Sequence, residues 1–305
     1  MTIIGIDIGG TKCAAVRARD DGTIEDSRRF ETGRPDETVE RLLAAVAGLD
    51  PGTNPTFGIA CGGPLDTAAG LICSPPNLPG WDRLPIVKRL TDRFGGKGYL
   101  MNDANAGAIA EWQFGAGIGS QSMVFLTFGT GLGAGIICDG RMYEGANGNS
   151  GEIGHVRLSD DGPFGHGKRG SAEGWCSGGG IARRVSDLIA AGDLPPDWPH
   201  RDARAVATAA MAGDARALAI MHETGRRLGR TIALIVDILN PEVVVVGSIY
   251  IRARAILEPP LLAELKREAL AESLAVCRVV PAALGESLAE HQAVAVAVYH
   301  NRLNP

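Results

Sequence analysis

Two segments of the chain combine a buried-strand pattern, a glycine-rich turn and a second strand pattern. The first spans residues 3–18 with its turn at Gly9-Gly10-Thr11-Lys12, and the second spans residues 124–138 with its turn at residues 129–133. Neither turn opens a helix, so neither has the context of a Walker A or Rossmann loop. Each segment is therefore predicted to be a β-hairpin closed by a glycine turn, and their repetition indicates a duplicated architecture.

Glycine-rich turns suit phosphate groups because the missing Cβ lets backbone N–H groups approach oxygen closely. Thr11 and Lys12 add a hydroxyl donor and a positive charge to the first turn, and Thr130 adds a hydroxyl to the second. One such turn alone is more often only a tight hairpin. A matched pair favours a nucleotide bound through both turns.

Composition and charge exclude several classes of protein. At 305 residues the chain exceeds one comfortable core, which predicts two lobes, and a net charge of −5 argues against nucleic-acid binding. No apolar run approaches the ~20 residues of a membrane span, and Asp7 interrupts any N-terminal signal-peptide core. We therefore expect a cytoplasmic protein without a membrane or nucleic-acid partner. The six scattered cysteines are expected to be buried reduced thiols.

Local patterns place further elements along the chain. Helices are predicted from Pro35, from Asn102-Asp103 and over residues 214–239 and 287–303, and the glycine-rich residues 115–119 are expected to separate the lobes. Buried strands are predicted at residues 56–61, 99–101 and 243–246. For Asp103 the simplest structural interpretation is a helix N-cap.

Five blocks, taken together and in order, resemble the ROK family of sugar kinases and repressors over essentially the whole chain. They are Asp7-Ile8-Gly9-Gly10-Thr11-Lys12, Pro76-Asn77-Leu78-Pro79-Gly80-Trp81, Asn102-Asp103-Ala104-Asn105, Gly129-Thr130-Gly131-Leu132-Gly133 and Gly151-Glu152-Ile153-Gly154-His155.

The resemblance implies an α/β, two-lobed actin/hexokinase-like (ribonuclease H-like) fold with ATP and sugar in a central cleft. The smaller lobe is expected to comprise residues 1–114 with the C-terminal helix 287–305, and the larger lobe residues 115–286. Family repressors carry a winged helix-turn-helix ahead of the first phosphate motif. Because that motif begins here at Ile3, the kinase interpretation is favoured.

One departure concerns the family's structural zinc, which three cysteines and the motif histidine hold. The cysteine positions carry Phe164, His166 and Ser171 in this chain. Two imidazoles without a nearby thiolate do not make a closed tetrahedral site, so structural zinc is not expected. Cys176 is close enough in sequence to leave a site with His155 and His166 open.

Without zinc, packing of Phe164 and Trp175 is expected to hold this segment, and His155 is available to the sugar. Another departure follows residues 243–246, where the family's glycine-rich nucleotide-binding run is reduced to Gly247-Ser248-Ile249.

The resemblance assigns a role to each motif residue. Asp103 is the expected general base toward the C6 hydroxyl of a hexose, and Asp7 is expected to orient Mg²⁺ or its water shell. Nucleotide contacts are expected from Asp7, Gly9, Gly10, Thr11, Lys12, Gly129, Thr130, Gly131, Gly133 and Gly247. Sugar contacts are expected from Gly63, Asn77, Asn102, Asp103, Glu152, His155 and Glu173.

The expected function is ATP-dependent phosphorylation of a hexose, with glucose favoured. N-acetylglucosamine, N-acetylmannosamine, allose and fructose remain alternative substrates, because the sequence does not show the pocket shape. A catalytically idle sugar-sensing regulator is the alternative from another class, although Asp103 and both phosphate turns argue against it. The family also implies a homodimer or tetramer.

Overall fold

The computed structural model describes residues 2–303, which divide into two compact units. Unit 1 comprises the described residues up to Ile118 and those from Glu286 onward, and unit 2 comprises Gly119–Gly285. The chain thus leaves unit 1 once, builds unit 2 from one continuous segment, and returns to unit 1.

Unit 1 is built on a five-stranded sheet in the order β3-β2-β1-β4-β7. β1 is antiparallel to β2 and parallel to β4, and β4 is parallel to β7. The strands and helices of this unit are β1 Ile3–Ile8, β2 Lys12–Ala18, β3 Ile24–Glu31, α1 Pro35–Gly48, β4 Thr56–Cys61, β5 Leu65–Asp66, β6 Leu71–Ile72, α2 Ile86–Phe94, β7 Lys97–Asn102, α3 Asp103–Phe114 and α10 Leu288–Leu303.

The alternation of side chains along β1 explains how helices cover both faces of this sheet. Ile4, Ile6 and Ile8 share one buried cluster with the apolar stripe of α1. The opposite face packs against α10, where a Cβ added to Gly58 would lie 2.1 Å from the backbone oxygen of Ala293. The absence of a side chain at this position therefore lets α10 lie directly on the sheet.

Unit 2 repeats the same strand arrangement. Its five-stranded sheet has the order β10-β9-β8-β13-β14, with β8 antiparallel to β9 and parallel to β13. Its elements are β8 Met123–Phe128, β9 Leu132–Cys138, β10 Arg141–Met142, β11 Phe164–Gly165, β12 Lys168–Arg169, α4 Ala172–Trp175, α5 Gly178–Ala190, α6 Ala203–Met211, α7 Ala215–Leu239, β13 Val243–Val246, α8 Ile249–Glu268, α9 Ala271–Val276 and β14 Arg278–Pro281. Both predicted glycine-turn hairpins are confirmed, β1–β2 and β8–β9.

The predicted long helix of unit 2 is also present, as α7. Asp214 caps its N-terminus by accepting hydrogen bonds from Arg216 and Ala217, and Asn240 ends it in the left-handed conformation. β13, which follows, is buried at all four valines. Such a continuous apolar run is typical of a strand that is covered on both faces.

The cysteine prediction is correct only in part. All six are free thiols, and Cys13, Cys61 and Cys176 are buried, but Cys138 is exposed at the end of β9. Among the described residues, no helix has both the length and the apolar character needed to cross a membrane.

Candidate active site

The first glycine turn is held by its own backbone and by β3. The N–H of Gly9 donates to the Lys12 carbonyl at 3.0 Å, and the Thr32 hydroxyl donates to the Gly9 carbonyl at 2.6 Å. Within residues 2–303, the N–H groups of Gly10 and Thr11 have no protein acceptor. The turn therefore presents two backbone donors of the kind that bind phosphate oxygens.

Asn77 lies directly against this turn. A Cβ added to Gly10 would lie 2.7 Å from the Asn77 Cβ, so only glycine fits at that position without movement. The loop that carries Asn77 is anchored by Trp81, which is buried. This loop thus places an amide side chain beside the first glycine turn.

Asp7 is a largely buried carboxyl group in the middle of unit 1. The Gln292 side-chain amide on α10 donates a 2.7 Å hydrogen bond to Asp7 Oδ1. Burial raises the pKa of Asp7 to about 7, a rise that the Gln292 hydrogen bond opposes and that the negative charges of Asp103 and Glu290 increase. A cation near this carboxyl would relieve both the burial cost and the repulsion.

Asp103 occupies the first helical position of α3, and the residue that caps the helix is Asn102. The Asn102 Oδ1 accepts hydrogen bonds from the N–H groups of Ala104 and Asn105, which satisfies two of the first-turn donors. The interpretation of Asp103 as the N-cap is therefore wrong. Asp103 Oδ1 also accepts from the Ala104 N–H at 2.8 Å, which fixes the direction of its carboxylate.

Four sugar-site candidates of unit 1 converge at the end of β4. A Cβ added to Gly62 would lie 4.0 Å from Asp103 Oδ2 and 3.9 Å from Asn77 Nδ2, and one added to Gly63 would lie 3.7 Å from Asn102 Nδ2. A carboxylate oxygen and two amide nitrogens therefore surround this glycine pair. Such a set offers both acceptors and donors to a hydroxyl-bearing ligand.

The second glycine turn is braced by the start of α5. The N–H groups of Gly178 and Gly179 donate to the carbonyls of Gly129 and Thr130 at 2.8 and 3.0 Å. In the described part of the chain, the N–H groups of Thr130 and Gly131 have no protein acceptor. In both turns, backbone carbonyls accept hydrogen bonds from neighbouring segments, and two N–H groups are available to a ligand.

The remaining nucleotide candidates of unit 2 lie on strands beside this turn. Gly133 is on β9 opposite Thr127 of β8. Gly247 follows β13, and its N–H donates to the Leu126 carbonyl at 2.9 Å. Residue 247 thereby continues the sheet, and Ser248 at φ +53° turns the chain into α8.

Glu173 contacts the second glycine turn directly. Its Oε2 accepts the Leu132 N–H at 3.2 Å, and a Cβ added to Gly131 would lie 2.7 Å from the same oxygen. The same Oε2 lies 3.0 Å from Nε2 of His166. The His166 ring in turn packs against that of His155, with ring centroids 4.0 Å apart.

The residues at the family's cysteine positions do not fit a closed zinc site. The Phe164 side chain offers no ligand, and the Ser171 hydroxyl is fully buried between the Gly165 carbonyl and the Gly174 N–H. Burial raises the pKa of the Cys176 thiol far above its ordinary value, and its Sγ lies against the Thr224 carbonyl. Among the described residues, Cys176 is not part of the group of potential ligand atoms around His155 and His166.

Glu152, His155 and His166 nevertheless form a surface group whose potential ligand atoms lie within 4.8 Å of one another. These three donors would make an open site rather than the closed four-ligand site of a structural zinc.

The expectation that Phe164 packs this segment is wrong, because Phe164 is 45% exposed. Trp175 does pack there: its indole N–H donates to the Ser159 hydroxyl, and the Arg227 guanidinium lies 4.2 Å from its ring centroid.

Sequence reasoning missed two residues of this region. Gln292 is one of two amide residues in an Ala/Val-rich helix, which is a visible but unspecific signal. His166 was considered only as a replaced metal ligand.

A family model described as "ROK family" matches residues 3–297. The chain is 34% identical over 275 residues to a glucokinase of Thermotoga maritima, covering 86% of each chain. It is 36% identical over 252 residues to an N-acetylmannosamine kinase of Shigella flexneri, covering 81% of this chain and 83% of that one.

Similarity also extends to solved structures. A ROK family glucokinase from Streptomyces griseus, in complex with glucose and AMPPNP, matches with a TM-score of 0.77 and 28% identity, covering 97% of this chain and 99% of that one. The predicted α/β, actin/hexokinase-like fold is confirmed. With a family model matching nearly its whole length and relatives above 30% identity, the chain belongs to the ROK family.

Proposed function

We propose that this protein transfers the γ-phosphoryl group of ATP to the C6 hydroxyl of glucose, with Asp103 as the general base. The observation that carries the proposal is the placement of Asp103, whose carboxylate is oriented by the first turn of α3 and faces the Gly62–Gly63 pair with Asn77 and Asn102. The choice of glucose rests on the similarity to glucokinases, one of them a structure with glucose bound.

The coarser activity follows from the relatives themselves. The protein is an ATP-dependent sugar kinase, since its curated relatives are glucokinases and N-acetylmannosamine kinases and a related kinase structure holds a nucleotide analogue. Phosphoryl transfer asks the protein chiefly to position the reacting oxygens and to stabilise charge on the moving group.

In the proposed mechanism Asp103 accepts the proton of the attacking hydroxyl. Its Oδ1 is held by the Ala104 N–H, so rotation of the carboxylate is restricted and Oδ2 keeps its direction toward the glycine pair. Groups in this role typically contribute ~10²–10⁴-fold to the rate. Asn77 and Asn102 hydrogen-bond sugar hydroxyls beside it.

The phosphate groups of ATP are bound by the N–H donors of the two glycine turns, with Thr11, Lys12 and Thr130 adding side-chain donors. Asp7 fits a role toward Mg²⁺, because its buried carboxyl has two acidic neighbours whose repulsion a cation would relieve. When bound, Mg²⁺ supplies most of the charge neutralisation on the phosphates. Asp7 would hold the ion or its water shell, and Gln292 orients Asp7.

The sugar ring is bound in unit 2 by Glu152, His155 and Glu173. Each hydroxyl both donates and accepts, and carboxylate and imidazole groups supply complementary partners. Glu173 accepts a hydrogen bond from the Leu132 N–H of the second glycine turn. The proposed sugar contact is therefore hydrogen-bonded to a turn that is proposed to bind phosphate.

The deciding experiment measures ADP release with ATP and a panel of glucose, N-acetylglucosamine, N-acetylmannosamine, allose and fructose, for the wild type and for Asp103→Asn. We expect glucose to have the highest kcat/KM. Asp103→Asn should keep its glucose affinity by calorimetry while its kcat falls roughly 100-fold or more. Asp20→Asn, a change at an exposed aspartate in the β2–β3 loop, is the matched control and should behave as wild type.

Each alternative has its own outcome. A higher kcat/KM for another sugar would replace glucose and leave the mechanism intact. Sugar binding without turnover of any hexose would instead establish a sugar sensor. Near-normal turnover by Asp103→Asn would remove Asp103 from its role.

A further inference from the structure

We infer that His166 is a positioning residue that holds Glu173 and His155 in place for the sugar. The inference rests on the proposed function, because it concerns two residues proposed to contact the hexose. His166 itself is not proposed to touch substrate.

The first support is the geometry around His166 Nε2. This atom lies 3.0 Å from Glu173 Oε2, within the distance of an imidazole–carboxylate ion pair. The same Glu173 oxygen accepts the Leu132 N–H at 3.2 Å. One backbone donor and one imidazole nitrogen thus lie against the same carboxylate oxygen of Glu173.

The second support is the contact with His155. The two imidazole rings lie with centroids 4.0 Å apart and an interplanar angle of 33°. A Cβ added to Gly154 would lie 3.2 Å from His166 Nε2 and 2.3 Å from the Leu132 carbonyl, so the backbone beside His155 must be free of a side chain for the rings to meet. His166 therefore supports both proposed sugar contacts from one position.

The third support is the backbone at residue 166. His166 has φ +48° in the turn between β11 and β12, a region that favours glycine and carries an energetic cost for other residues. Gly167 follows at φ +73°. Glycine adopts this conformation at lower cost, so the turn itself does not require the histidine side chain.

Hydrogen bonds within residues 164–174 hold this segment without a metal. The buried Ser171 hydroxyl donates to the Gly165 carbonyl and accepts the Gly174 N–H, which ties β11 to α4. Glu173 lies on α4, only two residues beyond Ser171. The hydrogen bonds of Ser171 thus place the backbone of Glu173, and His166 places its side chain.

The test uses His166→Gly, which removes the side chain and relieves the backbone. We expect the thermal midpoint to stay or rise, the hexose KM and calorimetric Kd to increase about tenfold or more, and kcat at saturating hexose and the KM for ATP to change little. His166→Gln, whose amide can donate to Glu173, should recover part of the affinity. Asp139→Gly relieves a similar backbone at φ +50° elsewhere in unit 2 and should leave hexose affinity unchanged.

Metal analysis of the purified wild type accompanies the kinetics. We expect far less than one zinc ion per chain and no effect of EDTA on hexose affinity. A stoichiometric metal, with loss of hexose affinity in EDTA, would overturn the inference and assign Glu152, His155 and His166 to a metal site.

Unchanged hexose affinity in His166→Gly would overturn the inference while leaving the kinase proposal standing. A wild type that neither binds nor phosphorylates any hexose would overturn the proposed function, and the inference with it.

Discussion

The side-chain amide of Gln292 donates a 2.7 Å hydrogen bond to the carboxyl of Asp7. This contact joins α10 to β1, two elements separated by nearly the whole chain. The hydrogen bond favours the charged carboxylate, yet burial opposes that form more strongly, and the pKa of Asp7 rises to about 7. Burial of the ionised Asp7 carboxylate consequently lowers the free energy of unfolding of the protein.

Asp7→Asn should stabilise unit 1 in a pH-dependent way. The folded-state pKa of Asp7 is raised above its unfolded value, so the folded protein binds the proton more tightly, and wild-type stability falls as pH rises from about 4 to about 7. The Asp7→Asn variant has no carboxyl group at this position, so it does not lose stability in this way as pH rises. Its advantage in unfolding free energy should therefore grow over that window to on the order of 4 kcal/mol and stay constant above it.

The measurement is urea unfolding of both proteins without nucleotide or Mg²⁺ between pH 5 and pH 8. Asp20→Asn, which removes an exposed carboxylate, serves as the matched control. A difference for Asp7→Asn that does not vary with pH would contradict the raised pKa.

Ser171→Ala should destabilise unit 2 because it removes a buried hydroxyl with two partners. The Gly165 carbonyl and the Gly174 N–H would both lose their hydrogen bonds, which costs about 1–3 kcal/mol. Ser186→Ala removes an exposed hydroxyl on α5 that donates to the Ala182 carbonyl, and it should change stability by less than about 0.5 kcal/mol. Chemical denaturation compares the two, and equal midpoints would show that segment 164–173 is held by other contacts.

Gly58→Ala should disrupt the packing of α10 on the sheet of unit 1. The new Cβ would lie 2.1 Å from the Ala293 carbonyl oxygen and 2.6 Å from the Ala297 nitrogen, and neither backbone atom can move without shifting the helix. Overpacking of this kind typically costs about 1–3 kcal/mol or more.

The matched change is Gly48→Ala at the end of α1, where an added Cβ meets nothing within 4 Å. It should be neutral or stabilising by up to about 1 kcal/mol, because alanine favours the helix. Thermal denaturation checks both variants, and similar midpoints would contradict the close approach of α10 to β4.

Local signals were sufficient for most of the elements. The alternation in β1, the glycine turn after it and the strand that follows are contained within about fifteen residues, so the hairpin was predictable without any tertiary information. The same holds for α7, which has Asp214 at its start and Asn240 at its end.

The sequence alone does not predict which side chains that are far apart in the chain contact each other in the fold. Nothing local distinguishes Asn102 from Asp103 as the cap of α3, because both residue types favour that position. Phe164 is expected from the sequence to pack this segment in place of zinc, but it lies in a two-residue strand and is exposed. The roles of Gln292 and His166 depend on Asp7 and Glu173, which only the fold brings within hydrogen-bond distance.

The packing of α10 against the first sheet also affects how the protein matures. Val294, Ala297 and Val298 are synthesised after all of unit 2, yet they belong to the same core as Ile3 and Val16. The N-terminal strands therefore cannot complete their core until α10 has been synthesised. Gly119–Gly285 is contiguous and can complete its own core earlier in synthesis. Truncation of the last helix should accordingly leave newly made strands exposed to chaperones and proteases.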